Sequence, residues 1–147
     1  MNLYKKILSE KERLKLLNFV KTKLLNFGPT YPGLQSKTNL HTYKELQPFL
    51  KKITPYTNSY HIKNVWVNYT IGDDICWHSH KNIDRSIVYY LQNKSNIGTM
   101  FKQKGTKVLV TECPQNSLMI FDSFLEHSGP CHLPEDRYSI ALDLIKK

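Results

Sequence analysis

The sequence predicts a mainly β domain with helices at its N-terminal end, arranged as a small antiparallel barrel or sandwich that carries the helices on one side. Three observations lead there. Residues 9 to 28 show the three- and four-residue apolar spacing of one amphipathic helix. From Tyr60 onward the pattern changes to short runs rich in Val, Ile, Tyr and Phe, separated by Gly, Pro, Asn and Asp. A length of 147 residues with 40% hydrophobic and 12% aromatic content matches one core. The expected organisation is therefore a single domain over 1–147, with residues 1–55 as helical support and 56–147 as the β core.

In chain order, Ser9 and Glu12 form an S-x-x-E capping box. Leu14, Leu17, Val20, Leu24 and Phe27 follow on one apolar face, widened by Leu16, Phe19 and Leu25, and Gly28 is a natural stop. Residues 29–41, with Pro29, Pro32 and Gly33, read as a loop. Thr42 and Glu45 are placed to cap a second helix ending near Ile53, although Pro48 falls inside it. Strands are expected at 60–70, 86–92, 98–102, 107–111, 117–121 and 137–145. In the last, Tyr138, Ile140, Leu142 and Leu144 share one face and Ser139, Ala141, Asp143 and Ile145 the other.

Composition narrows the function classes. No apolar run reaches the roughly 18 residues of a membrane span, and the first residues lack a signal-peptide core, so a cytoplasmic protein is expected. Cys76, Cys113 and Cys131 form no C-x-x-C pair and read as reduced thiols. The formal charge of +9 admits nucleic acid as a partner. That charge comes almost wholly from lysines, with only Arg13, Arg85 and Arg137 as arginines, and a dispersed solvated surface is the favoured reading.

Histidines carry the chemical signal. His78 and His80 form an H-x-H in the polar loop after a strand, and such a pair at a strand end can aim two imidazoles at one point, because residues i and i+2 share a face. His127, after the strand at 117–121, is placed to supply a third ligand and leave open coordination positions.

The surrounding motifs extend this. Tyr69, Gly72 and His78 sit on a Y-x-x-G-x-x-x-x-x-H-x-D pattern, and Arg85 to Leu91 follows as a strand ending in Y-L. Gly98 to Phe101 is a shortened G-x-x-F continuation, and Pro114 to Phe121 follows a P-x-x-G-x-L-x-F strand with Ser117 and Met119 in place of Gly and Leu. Ser123 and His127 fall in an F-x-S-x-x-x-H turn, and Arg137-Tyr138-Ser139 begins ten residues after His127. In this order the segments resemble the non-haem iron(II), 2-oxoglutarate-dependent dioxygenases, in particular the prolyl 4-hydroxylase-like branch, over residues 60–145.

The resemblance implies a double-stranded β-helix, the jelly-roll or cupin-like barrel. It also implies an oxygenase that hydroxylates a peptide side chain or small molecule with Fe(II), 2-oxoglutarate and O2. His78, His80 and His127 would ligate the metal, and Arg137 and Ser139 would hold the far carboxylate of 2-oxoglutarate. Tyr89 or Tyr90, together with Tyr69, would face the same pocket, and Trp77 would line the substrate side.

One departure stands out: where the pattern has a carboxylate two residues after the first ligand, this chain has His80, which leaves a bound Fe(II) with one more unit of positive charge. Asp84, Asp73 and Asp74 are alternative carboxylates, ranked below His80 because only the two-residue spacing keeps a side chain beside His78. Glu126 is either a partner of His127 or solvated. Cys131 and His132 read as an exposed turn, and His41 and His61 receive no role. The competing readings are a cupin-like three-histidine metal protein that ignores 2-oxoglutarate, against which Arg137-x-Ser139 argues, and an inert basic jelly-roll binding module. The sequence leaves the oligomeric state open.

Overall fold

A computed structural model describes residues 1–26, 33–70, 76–104, 107–129 and 136–147. In chain order the elements are β1 (Asn2–Lys5), α1 (Glu10–Lys21), β2 (Leu34–Gln35), 3-10 turns at Leu40–Thr42 and Lys44–Leu46, and α2 (Gln47–Thr57). Then come β3 (Tyr60–Thr70), β4 (Arg85–Gln92), β5 (Ile97–Lys102), β6 (Val108–Glu112), β7 (Ser117–Asp122), β8 (His127–Ser128) and β9 (Arg137–Lys146).

The strands form two antiparallel sheets. The larger has the order β1-β7-β4-β9-β3-β2 and the smaller β6-β5-β8. An antiparallel bridge between His78 and His127 adds His78 to the far side of the smaller sheet. The central strand β9 pairs with β3 on one side and β4 on the other, which is why its pattern is buried almost throughout. Its two faces serve different layers. Tyr138, Ile140, Leu142 and Leu144 join the core under the helices, with Val65, Val67, Ile87, Tyr89, Leu118 and the helix residues Leu16, Leu17, Val20, Phe49 and Ile53. On the other side, Tyr90, Met119 and Phe121 meet Phe101 of the smaller sheet and Cys113, just after β6, in a second apolar cluster. The rings of Phe101 and Phe121 pack edge to face at 4.9 Å.

The helical segment is anchored by few residues. The capping box forms as expected, with Glu12 N–H donating to Ser9 Oγ (3.1 Å) and Ser9 N–H donating to Glu12 Oε2 (2.8 Å). The buried stripe of α1 is Arg13, Leu16, Leu17 and Val20, whereas Leu14 is 45% exposed. Arg13 takes the inward place because its guanidinium reaches the Leu91 carbonyl at 2.9 Å and Glu10 on the rim. The helix stops at Lys21, earlier than the apolar spacing predicts; Leu25 instead bridges Gln35, while Phe27 and Gly28 lie outside the described residues.

The second helix starts later than predicted and runs to Thr57. The Thr42 hydroxyl bonds the Asn39 carbonyl rather than capping α2, and Pro48 sits in the first turn of the helix, where its missing N–H has no partner to lose. Phe49 is fully buried with its ring 4.8 Å from that of Tyr89, and truncating such a residue to Ala costs about 3–5 kcal/mol. The N-terminal segment is more than helical support: β1 pairs with β7, β2 pairs with β3, and Tyr4 stacks on Tyr56 at 4.1 Å. No helix among the described residues is long and apolar enough to cross a membrane.

Candidate metal centre

Three histidines converge at the opening between the sheets. His78 and His127 exchange both backbone hydrogen bonds, His78 N–H to His127 O at 3.0 Å and His127 N–H to His78 O at 2.8 Å, which sets their side chains side by side. His80 N–H donates to the Ser123 carbonyl at 2.9 Å, so the backbone between the two histidines is pinned on both sides. Ring centroids are 5.1 Å apart for His78 and His80, 4.4 Å for His78 and His127, and 5.2 Å for His80 and His127. One ligand atom from each lies within 4.8 Å of the others.

The second ring nitrogens decide which atoms are available. His78 Nδ1 lies 2.7 Å from the Cys76 carbonyl and His127 Nδ1 lies 2.8 Å from the Leu125 carbonyl. A carbonyl only accepts, so both Nδ1 atoms carry the proton and both Nε2 lone pairs are left for a ligand. His80 Nδ1 is 2.5 Å from Asp143 Oδ1. Burial pushes the His127 imidazole down to about 4 and lowers His78 as well, which keeps both rings neutral and able to coordinate at neutral pH.

Behind the histidines lies a cavity of about 380 Å³ whose wall includes Trp66 and Asn68 of β3, Ser86 and Val88 of β4, and Arg137, Ser139 and Ala141 of β9. Arg137 is 5% exposed and its Nε has no hydrogen-bond partner. Its guanidinium carbon lies 5.0 Å over the Tyr90 ring. It forms no ion pair among the described residues, Asp136 included. Burial lowers its proton affinity, yet a guanidinium stays charged in a protein. A buried cation that lines a cavity and has no counter-ion among the described residues is suited to an anion. The residues present therefore fit both a divalent metal, through the three imidazoles, and an anion at Arg137 in the same cavity.

No family profile matches the sequence, and no curated protein matches it. Solved structures match its shape. The viral collagen prolyl hydroxylase vCPH from Paramecium bursaria Chlorella virus-1, solved as a 2OG complex, superposes with a TM-score of 0.69 at 13% identity, over 97% of this chain and 94% of that one. SnoN, a non-haem α-ketoglutarate-dependent epimerase from nogalamycin biosynthesis, gives 0.75 at 9% identity, over 98% and 77%. A prolyl hydroxylase from Trichoplax adhaerens, in complex with a hypoxia inducible factor peptide fragment, gives 0.64 at 14% identity, over 99% and 83%. The chain has the double-stranded β-helix fold of the 2-oxoglutarate oxygenases.

Within this oxygenase fold, His78, His80, His127, Arg137 and Ser139 lie in one cavity. Tyr89 and Tyr69 do not. Tyr89 points into the helix-side core, where its hydroxyl donates to Asn116 Oδ1 at 2.9 Å, and Tyr69 packs on Tyr138 with centroids 4.8 Å apart. Strand alternation is the reason: the residue of β4 facing the other way is Tyr90, whose oxygen accepts from Thr99 N–H at 2.9 Å and lies 2.7 Å from Thr99 Oγ1. Trp77 lies under Lys102 Nζ at 5.0 Å and does not line the cavity. Glu126 is solvent-facing and paired with Lys102. Asp84 lies outside the histidine cluster, where its carboxylate accepts the Lys146 N–H at 2.7 Å. Gly72, Asp73, Asp74, Cys131, His132 and Glu135 lie outside the described residues.

Sequence reasoning missed Asp143, Tyr90 as the arginine's platform, and Trp66, whose ring is 5.9 Å from that of His80. A signal for Asp143 was present, since it is the one acidic residue on the face of β9 that also carries Arg137, Ser139 and Ala141.

Proposed function

We propose that the protein is an iron(II)- and 2-oxoglutarate-dependent oxygenase that hydroxylates a peptide side chain or a small molecule. The observation that carries this reading is the buried Arg137, without an ion-pair partner among the described residues, in the same cavity as three converging histidines. His78, His80 and His127 would hold the metal, and Arg137 with Ser139 would hold the distal carboxylate of 2-oxoglutarate. Iron and the keto acid together supply activation of O2 for C–H oxidation when bound.

The chain's own residues do the rest. Carbonyls of Cys76 and Leu125 hold two imidazoles in the tautomer that presents Nε2. Tyr90 supports the guanidinium from below, so its planar fork is set before the anion arrives. Val88, Phe121 and Ala141 make the cavity wall apolar, which strengthens the charge contact and keeps water from the reacting centre. A metal site without a keto acid would leave Arg137 with no anion among the described residues, and Arg137 therefore favours the keto-acid reading. The prolyl hydroxylases among the structural neighbours support a peptide as one substrate class.

The test is aerobic conversion of 2-oxoglutarate to succinate by iron-loaded protein. Wild type is expected to form succinate in proportion to enzyme, and His127→Ala to form none. Wild type that binds iron without forming succinate, with or without a library of peptides, contradicts the reading.

A further inference from the structure

His78 and His127 are oriented by backbone carbonyls; His80 alone is oriented by a charge. Asp143 Oδ1 lies 2.5 Å from His80 Nδ1, and Asn64 Nδ2 donates to Asp143 Oδ2 at 2.9 Å. Asp143 is 6% exposed, on the middle of β9, directly opposite Ser86 of β4. A buried carboxylate needs a compensating charge, and Asn64 brings none. Among the described residues the ion-pairing partner of Asp143 is His80. His80 in turn faces the cluster, with its ring about equally far from His78 and His127, at 5.1 and 5.2 Å.

We infer that Asp143 is a positioning residue of the metal centre: it accepts the His80 Nδ1–H, aims Nε2 at the ion, and restores to the site the negative charge lost by having His80 where a carboxylate ligand would stand. The inference rests on the three-histidine reading above. Three neutral imidazoles alone leave a divalent ion with its full charge, whereas a carboxylate one residue further out brings the centre back to the net charge of two histidines and one carboxylate. Such a partner also raises the basicity of the ligand it holds, and its loss typically weakens metal binding by roughly 10- to 100-fold. The carboxylate is in this sense moved from the ligand position to the strand behind it, and β9 carries both it and Arg137.

The experiment is an anaerobic titration with Co(II) against a competing chelator, reading affinity and visible ligand-field bands, on wild type, Asp143→Asn, His80→Asp and the double variant His80→Asp/Asp143→Asn. Asp143→Asn is expected to bind about 10- to 100-fold more weakly with shifted bands. The double variant, with its carboxylate now a direct ligand and none behind it, is expected to bind at least tenfold more tightly than His80→Asp, in which two carboxylates oppose each other. An Asp143→Asn protein that loses thermal stability without its metal, yet binds Co(II) as wild type does, overturns the inference and leaves the metal-centre reading standing. Failure of wild type to bind Co(II) overturns both. Should Asp143→Asn not fold, the wild type itself answers: in the Zn(II)-loaded protein the His80 Nδ1–H is expected furthest downfield of the three ligand histidines in ring-detected NMR, and a His80 ring lacking that proton overturns the inference.

Discussion

The Arg137 guanidinium lies over the ring of Tyr90 at 5.0 Å, and the Tyr90 oxygen is itself held by the Thr99 N–H at 2.9 Å. The two residues are neighbours on different strands, Arg137 at the start of β9 and Tyr90 near the end of β4. The arginine thereby has an aromatic ring beside it while its Nε is still unpartnered. Lysine at this place keeps the charge but loses the planar fork and the stacking. Arg137→Lys is expected to raise the 2-oxoglutarate concentration for half-saturation by roughly 10- to 100-fold, the loss of one or two charge-assisted hydrogen bonds. Calorimetry on Mn(II)-loaded protein checks this without turnover.

The two adjacent tyrosines of β4 separate stability from binding. Tyr89→Phe removes the hydroxyl that donates to Asn116, on the helix side, and is expected to cost about 1 kcal/mol of stability while leaving 2-oxoglutarate binding unchanged. Tyr90→Phe removes the link to Thr99 beneath Arg137 and is expected to weaken 2-oxoglutarate binding severalfold. Denaturant midpoints and keto-acid titrations on both variants distinguish the faces, and an equal effect on binding contradicts the assignment.

Gly98 makes a close approach that no side chain fits. A Cβ there would meet Cys113 Sγ at 2.3 Å and Thr111 Oγ1 at 2.5 Å, inside the pairing of β5 with β6. Gly98→Ala is expected to destabilise by about 1–3 kcal/mol, the usual range for overpacking. A thermal unfolding midpoint equal to that of wild type contradicts the packing described.

The capping box of α1 predicts a pH dependence. The Ser9 N–H holds the Glu12 carboxyl below its ordinary value of 4.5, so the folded state favours the ionised form. That stabilisation is complete above the ordinary value and is lost as pH falls through the lower folded value. Ser9→Ala is expected to cost about 1 kcal/mol at neutral pH. The stability difference between wild type and Glu12→Ala is expected to shrink as the pH is taken below 4.5, measured by urea unfolding at a series of pH values.

Much of this architecture was legible because its signals are local. The longest strands, β3 and β9, announce themselves by alternation and β-branched content, and the capping box of α1 is contained in four residues. The two-residue spacing of H-x-H put His78 and His80 side by side, although they lie between β3 and β4 and are held by the bridge of His78 to His127 rather than by a strand end. What escaped depends on pairing at a distance. β1 and β2 are four and two residues long and exist through β7 and β3, and β8 is two residues that pair with β5. Leu14 was expected inward because periodicity cannot foresee that Arg13 finds the Leu91 carbonyl. Tyr89 and Tyr90 were separable only once it was known which face of β4 meets the helices. In the sequence Asp143 is one position in an alternation, and its meaning emerges when β9 is laid beside β3 and His80 arrives over it.

The most direct test of the account is an anaerobic titration of metal-free protein with Fe(II) and then 2-oxoglutarate, following the visible charge-transfer band of the chelate in wild type and Arg137→Ala. The account predicts a band in wild type that forms stoichiometrically with the keto acid and needs at least tenfold more of it in the variant. Iron binding without any band, or a band indifferent to Arg137, contradicts it.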